Sequence, residues 1–334
     1  MDLNNLNDNE LLELRFCDLN LKIEDTWLKE CIEQLYEELK DNGIKFKPSC
    51  YLADEWLTPD GEPVIGIAFY LAHPRLMKLE HKMIKDIEGG ERAACMKLLR
   101  HEAGHAINYA YLLHRRRKWR EFFGPFSADY PARYKYHPYS KNYVRHLDNY
   151  YAQYHPDEDF AETFAVWLAS GSDWRKQYTG WNALNKLEYI DKLMHEIAPK
   201  SPKIKRGRKY WSIDKSKMTL RTYYKRKRDL YADAYPDYHD FTLLRIFPEE
   251  DTKANKDVGK IIRKYRPEIL DNIALLTGEK KYVINDIIKK ILQRCRELNI
   301  RSSSKEGEII HLITAYITTL TMNYYYTASF KKGK

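Results

Sequence analysis

The pentapeptide His101-Glu102-Ala103-Gly104-His105 sets two imidazoles four residues apart with a carboxylate next to the first. On a helix, residues four apart share one side, so one cation could take a nitrogen from His101 and from His105 while Glu102 stands beside it. A zinc hydrolase needs this arrangement. The ion lowers the pKa of a water toward neutrality, and a neighbouring carboxylate takes the proton during attack on a carbonyl and hands it to the leaving amine. With His at 11 of 334 positions, a random chain of this composition would contain on the order of a few hundredths of such a match. Gly104 lies mid-helix, where it costs roughly 1 kcal/mol relative to Ala, which predicts close approach of backbone or substrate at that point.

A catalytic zinc takes three protein ligands and keeps an open position. The extended pattern that adds a Gly and then a third His is excluded, because Asn108 and Tyr111 occupy those two places. The other common solution is a Glu from a second helix. Glu158 and Glu162, one turn apart in His155-Pro156-Asp157-Glu158-Asp159-Phe160-Ala161-Glu162, provide it. Their spacing alone does not choose between them, and without the first motif they would read equally well as an acidic helix start favoured by the helix dipole. Two His and one carboxylate are too rich in nitrogen for magnesium or calcium and lack thiolates for softer ions, so one Zn2+ per chain is expected, with iron or manganese as alternatives.

The elements that must position these residues follow from period and punctuation. Asp25 to Leu39 has apolar residues at helical spacing, and Asn42-Gly43 gives a stop. Ile44 to Leu52 and Val64 to Leu71 are rich in β-branched and aromatic residues and predict strands, with Asp60-Gly61 turning between them. A helix is predicted from about Glu91 to Leu113, carrying the His-Glu motif. From Phe122 to Tyr154 the period is lost among Tyr, Pro, Gly and His, which predicts a long ordered loop with one helical turn near Tyr143 to Leu147. A second helix should run from Pro156 to about Ala169, with Asp157, Glu158 and Asp159 in its first turn and Gly171 past its end. The Pro, Lys and Arg cluster from Pro199 to Lys209 predicts a boundary near residue 200. A basic helix around Leu220 to Tyr231 and three more helices, around Val258 to Leu276, Val283 to Leu298 and Glu306 to Tyr324, should follow it.

The acidic pair after the His-Glu motif resembles that of the thermolysin-like and lethal-factor-like gluzincins. The run from Tyr151 to Leu168 is similar to a family of bacterial zinc-binding metallopeptidases, over about Leu14 to Phe247. The resemblance implies an α+β, zincin-like fold with a small sheet, an active-site helix and a second ligand helix; with the boundary near residue 200, this domain is expected over residues 1–200 and a mostly helical extension over 201–334. It implies His101, His105 and Glu158 as metal ligands, Glu162 as the carboxylate that orients His101, and Glu102 as the general base. It also implies Tyr151, seven residues before Glu158, as an aid to the oxyanion, although Tyr150 and Tyr154 lie nearby and most tyrosines in so Tyr-rich a loop simply pack. In this class of fold an edge strand pairs with extended substrate, and Val64 to Leu71 is the candidate, with an interior strand as the alternative. The Cys-rich ribbon that often precedes such domains is not in this sequence.

Composition bounds the partners. A hydrophobic share of 43% with 31% charged residues is that of an ordinary globular chain. The first residues are acidic and polar where a secretory signal needs a basic and then an apolar run, and five scattered cysteines suit reduced thiols, so a cytoplasmic protein is expected. Ile309 to Met322 falls short of the roughly 18 apolar residues of a membrane span and reads as a buried helix, so no membrane partner is expected. The net charge of +9 and the runs His114-Arg115-Arg116-Arg117-Lys118 and Lys225-Arg226-Lys227-Arg228, with Tyr223, Tyr224 and Tyr231 close by, could serve nucleic acid, though such runs are more often solvated helix faces. The expected partner is a peptide or protein substrate. The competing function is a non-catalytic zinc protein whose basic helices bind protein or nucleic acid; Glu102, which a structural site does not need, argues against it.

Overall fold

The computed structural model describes residues 2–84, 87–130, 137, 140–231, 239–248 and 254–327. The helices are, in chain order, α1 (Asp8–Glu13), α2 (Leu28–Asp41), α3 (Pro74–Ile84), α4 (Arg92–Tyr111), α5 (Arg117–Phe123), α6 (Pro156–Leu168), α7 (Trp174–Gln177), α8 (Ala183–Ile197), α9 (Leu220–Tyr231), α10 (His239–Ile246), α11 (Val258–Lys264), α12 (Arg266–Thr277), α13 (Lys281–Glu297) and α14 (Glu306–Thr327). Four short strands accompany them: β1 (Ser49–Ala53), β2 (Val64–Ala68), β3 (Lys256–Asp257) and β4 (Arg301–Ser302). The protein is therefore mostly helical with two small sheets, compatible with the α+β class. The chain divides into two units, the first drawn from Met1–Glu80, Ile87–Ala132 and Tyr136–Tyr223, the second from His81–Asp86, Arg133–Lys135 and Tyr224–Lys334.

In the first unit, β1 and β2 pair in parallel, from Ser49 opposite Val64 to Ala53 opposite Ala68. All five residues of β2 are buried, as expected of a β-branched strand covered on both faces. The strand expected to reach Leu71 stops at Ala68, and Phe69–Ala72 coils into a 3-10 turn. An apolar run cannot by itself distinguish strand from buried turn, and here Phe69 turns inward, its ring 4.8 Å from Phe16 and 5.3 Å from Tyr223. Nor is β2 an edge. On the side away from β1, Gly66 exchanges two hydrogen bonds with Leu57, of 2.8 and 3.2 Å. A Cβ on Gly66 would lie 2.6 Å from the Leu57 side chain, so glycine is what lets this loop close over the sheet.

Helix α4 is buried along its whole second half, from His101 to Tyr111. Small residues make this work: Ala103, Gly104, Ala106 and Ala110 leave room for neighbours on several sides. Its main neighbour is α6, of which every residue from Asp157 to Leu168 is buried. Phe160 and Phe164 contribute most to this core, each worth about 1.5–3 kcal/mol by burial. The N-terminus of α6 is capped by the His155 side chain, which accepts from the Asp157 N–H, and Pro156 occupies the first turn, where its missing donor costs nothing.

Arg100 ties α4 to α2 by a two-pronged ion pair with Glu38, at 2.6 and 2.7 Å, and Gln34 and Ser170 also donate to the same carboxylate. Burial pushes the Glu38 carboxyl up, but the guanidinium and the other donors outweigh it and hold the pKa below its ordinary value of 4.5. A depressed carboxylate stabilises the fold above its ordinary pKa, and that stability is lost as pH falls through the lowered value. Substituting Arg100→Leu strands a buried charge and should cost about 3–5 kcal/mol in denaturant unfolding at pH 7, with most of it recovered in Arg100→Leu/Glu38→Leu. Equal midpoints for wild type and the single variant would mean that the pair contributes nothing.

Residues 201–223, which the expected boundary assigned to the extension, lie in the first unit. The N–H groups of Lys203 and Ile204 donate to the Ala110 carbonyl, Asp54 N–H to Trp211 O, and Leu220 N–H to Leu14 O. Tyr223 is buried beneath Phe16 and donates its hydroxyl to Glu55. The second unit is helical apart from the antiparallel pair β3–β4. Its helices bury isoleucine faces at helical spacing: Ile261 and Ile262, Ile269 and Ile273, Ile284, Ile287, Ile288 and Ile291, and Ile309, Ile313 and Ile317. Among the described residues, no helix is long and apolar enough to cross a membrane.

Candidate metal centre

His101 and His105 stand on one side of α4 and face Glu158 on the first turn of α6. Their Nε2 atoms are 3.2 Å apart, and Glu158 Oε2 lies 3.1 Å from the one and 3.2 Å from the other. All three side chains are buried. A tetrahedral zinc with ligands at about 2.0–2.1 Å requires donor atoms about 3.3 Å apart, so this triangle has the dimensions for one zinc and leaves a fourth position to be filled from outside the trio. The chemistry of the donors agrees, since two neutral imidazoles and a carboxylate are a zinc set.

The far nitrogens are also held. His101 Nδ1 is 2.9 Å from Glu162 Oε1, and the other Glu162 oxygen accepts from the Leu147 N–H at 2.9 Å. His105 Nδ1 is 2.8 Å from Asp157 Oδ2. Carboxylates behind both rings hold a proton on each Nδ1, so a cation that displaced the Nε2 protons would meet both Nε2 atoms in the triangle. Burial works against a charged His101, yet Glu158 and Glu162 outweigh it and bring its pKa up to about 9. His105 is raised in the same way, by Asp157 and Glu158. The same imidazoles hold Glu158 and Asp157 below the carboxylate range despite their burial. The field at this point is thus strongly negative and favours a cation.

Glu102 is buried beside the triangle, 7% exposed, with its backbone carbonyl accepting from the Thr58 hydroxyl at 3.1 Å. Burial raises its pKa, which the two imidazoles oppose; a carboxyl shifted up in this way is a better proton acceptor near neutrality. Tyr151 packs its ring 5.6 Å from that of His101, and burial, then Glu158 and Glu102, push its phenol upward, so it stays protonated. Tyr154 lies against Tyr151 and Tyr130, and Tyr150 carries the Arg145 guanidinium over its ring. The predicted helical turn in this loop forms five residues later than expected, as a 3-10 stretch over Asp148–Gln153.

Four partners of the site went unread in the sequence. Tyr130 donates to Glu158 Oε1 at 3.0 Å and stacks on His155 with ring centres 4.1 Å apart. Asp157, read as one of three acids at a helix start, is 2% exposed and lies behind His105. Asn108 and Tyr109, which donate to Asp157, follow His105 by three and four residues, a spacing that puts them on the same helix face. In the first basic run Arg116 pairs with Glu196 and Arg117 with Glu121, and in the second Lys227 is buried. Tyr223 and Tyr224 are buried and unable to stack on bases, while the side chain of Tyr231 lies outside the described residues.

Gly104 sets the distance between the two ligand helices. A Cβ there would meet Ala161 Cα at 2.8 Å and its carbonyl oxygen at 3.1 Å, both backbone atoms of α6. Gly104→Ala should push α6 outward, losing about 1–3 kcal/mol to overpacking against about 1 kcal/mol gained in helix propensity, and should weaken zinc retention. Denaturant melts and chelator competition would measure the two effects. Unchanged retention would show that the helix spacing does not govern the centre.

Two buried helices that cross at a glycine and bring two imidazoles and a carboxylate to one point define a cation site of the zinc type. Residues 85–181, which carry α4, α6 and every side chain of that triangle, match the sequence model of a family described as "Putative zinc-binding metallo-peptidase". Zinc is accordingly the cofactor, as the motif predicted. No curated protein and no solved structure matches the chain.

Proposed function

We propose that the first unit is a zinc-dependent metallopeptidase of zincin-like architecture, hydrolysing peptide bonds, and that the second unit is a helical extension with a separate role. The observation that carries this reading is the convergence of His101 Nε2, His105 Nε2 and Glu158 Oε2 within 3.1–3.2 Å of one another, with Glu102 buried alongside. Zinc, when bound, supplies Lewis acidity, lowering the pKa of water toward neutrality and polarising a carbonyl.

The chain's own residues do the rest. His101, His105 and Glu158 hold the ion, and Glu162 fixes the His101 ring from behind. Glu102 takes the proton of the attacking water and returns it to the leaving amine, so the peptide C–N bond breaks as the new C–O bond forms. Tyr151, a protonated phenol at the rim of the site, donates to the carbonyl oxygen as charge develops on it. The scattered, odd-numbered cysteines fit a cytosolic setting.

Elemental analysis of protein expressed in zinc-replete medium should give one zinc per chain, and the same protein should cleave members of an unbiased peptide library. Absence of any transition metal would end the reading. Full zinc occupancy with no cleavage of any peptide would favour a non-catalytic zinc protein.

A further inference from the structure

Asp157 is a buried carboxylate of the first unit, bonded at both oxygens, that the proposed mechanism does not use. Its Oδ2 receives His105 Nδ1 at 2.8 Å and the Tyr109 hydroxyl at 2.6 Å, and its Oδ1 receives the Asn108 amide at 2.7 Å. Asn108 is in turn fixed, because its Oδ1 accepts the His114 N–H at 2.9 Å. Thus both oxygens of Asp157 are pinned by donors from α4. The residue sits in the first turn of α6, immediately before Glu158, so its carboxylate and the ligand carboxylate are carried by the same rigid segment.

We propose that Asp157 is the positioning residue for His105: it holds the Nδ1–H tautomer and sets the ring plane so that Nε2 meets the same point as His101 Nε2 and Glu158 Oε2. This rests on the reading of those three residues as the metal ligands. The physical reason is twofold. A full negative charge behind the ring raises the basicity of the opposite nitrogen, and a fixed acceptor removes the rotation about the Cβ–Cγ bond that would otherwise carry Nε2 off line. Asn108 and Tyr109 complete the device by leaving Asp157 no freedom of its own. Each imidazole then has its own carboxylate, Glu162 for His101 and Asp157 for His105, both supplied by α6.

The test compares Asp157→Ala, Asp157→Asn and Tyr109→Phe in the full chain. Zinc affinity is read by competition with a chromophoric chelator, and the hydrogen-bonded Nδ1–H of His105 by proton NMR of the zinc-loaded protein. Asp157→Ala should weaken zinc binding by about 10–100-fold and erase or shift that resonance. Asp157→Asn, which keeps an acceptor but loses the charge and turns an amide toward that of Asn108, should fall between it and wild type. Tyr109→Phe should lower the melting temperature yet leave zinc affinity within about threefold, because His105 keeps its acceptor. A merely structural role for the cluster would make affinity track stability across the three. If Asp157→Ala fails to fold, Asp157→Asn carries the comparison with Tyr109→Phe. Wild-type zinc affinity in a folded Asp157→Asn, with the His105 resonance unmoved, overturns the inference alone, whereas failure of the wild-type protein to bind zinc removes the centre itself.

Discussion

Glu102→Gln should leave zinc content at the wild-type level while peptide hydrolysis drops by about 10²–10⁴-fold, the usual contribution of a positioned general base. The amide has the size of the carboxylate and fits the same buried place, so the three ligands and the carboxylates behind them are untouched. What changes is the ability to accept a proton. Burial raises the Glu102 pKa and the two imidazoles oppose it, a balance that bears on proton transfer near neutral pH and that an amide cannot reproduce. The experiment needs both measurements on one preparation, metal content and turnover of the best library peptide. Near-wild-type turnover with zinc bound would remove Glu102 from the mechanism. Loss of zinc along with activity would mean that Glu102 acts on the metal rather than on the water.

The second large effect separates two carboxylates on one helix. Glu158 Oε2 lies within 3.1–3.2 Å of both Nε2 atoms, whereas Glu162 faces His101 Nδ1 and the Leu147 N–H. Glu158→Ala should therefore nearly abolish zinc retention. Glu162→Ala should weaken it by about 10–100-fold and leave a measurable bound fraction. Removing Glu162 also strands the Leu147 N–H, which adds a modest stability loss of about 1–3 kcal/mol. Chelator competition on both variants decides the order. Complete loss in Glu162→Ala together with wild-type retention in Glu158→Ala would reverse the two roles, and Tyr151, identified by counting back from Glu158, would lose its basis as well.

The triangle was legible in the sequence because helical spacing turns a four-residue interval into shared direction, and because Pro156 marks where α6 starts. The close approach at Gly104 was legible for the same reason, a costly glycine where nothing local required one. Which of Glu158 and Glu162 faces the Nε2 atoms was not, since both lie on one side of α6; the resemblance supplied the order, and the distances agree with it. Asp157 escaped because its sequence context explains it twice over: an acid in a first turn needs no partner beyond the helix dipole. Its partners Asn108 and Tyr109 are 49 and 48 residues away, and no local pattern connects them. Helices α3 and α8 carried no expectation, although the buried Leu187, Ile190, Leu193, Met194 and Ile197 of α8 fall at helical spacing. The strand expected to extend through Phe69–Ala72 failed because an apolar run records burial and not conformation. Tyr130 could not have been found by spacing, since it reaches Glu158 across 28 residues of loop.

The stitching of residues 14–16 to 216–220 means that two segments far apart in the chain close the first unit at one seam. Leu220 N–H meets Leu14 O, Phe16 N–H meets Met218 O, and Arg15 bridges Thr219. A fragment trimmed at residue 200 would strip this seam and the Trp211 carbonyl from the end of β1, whereas one ending at Tyr223 would keep both.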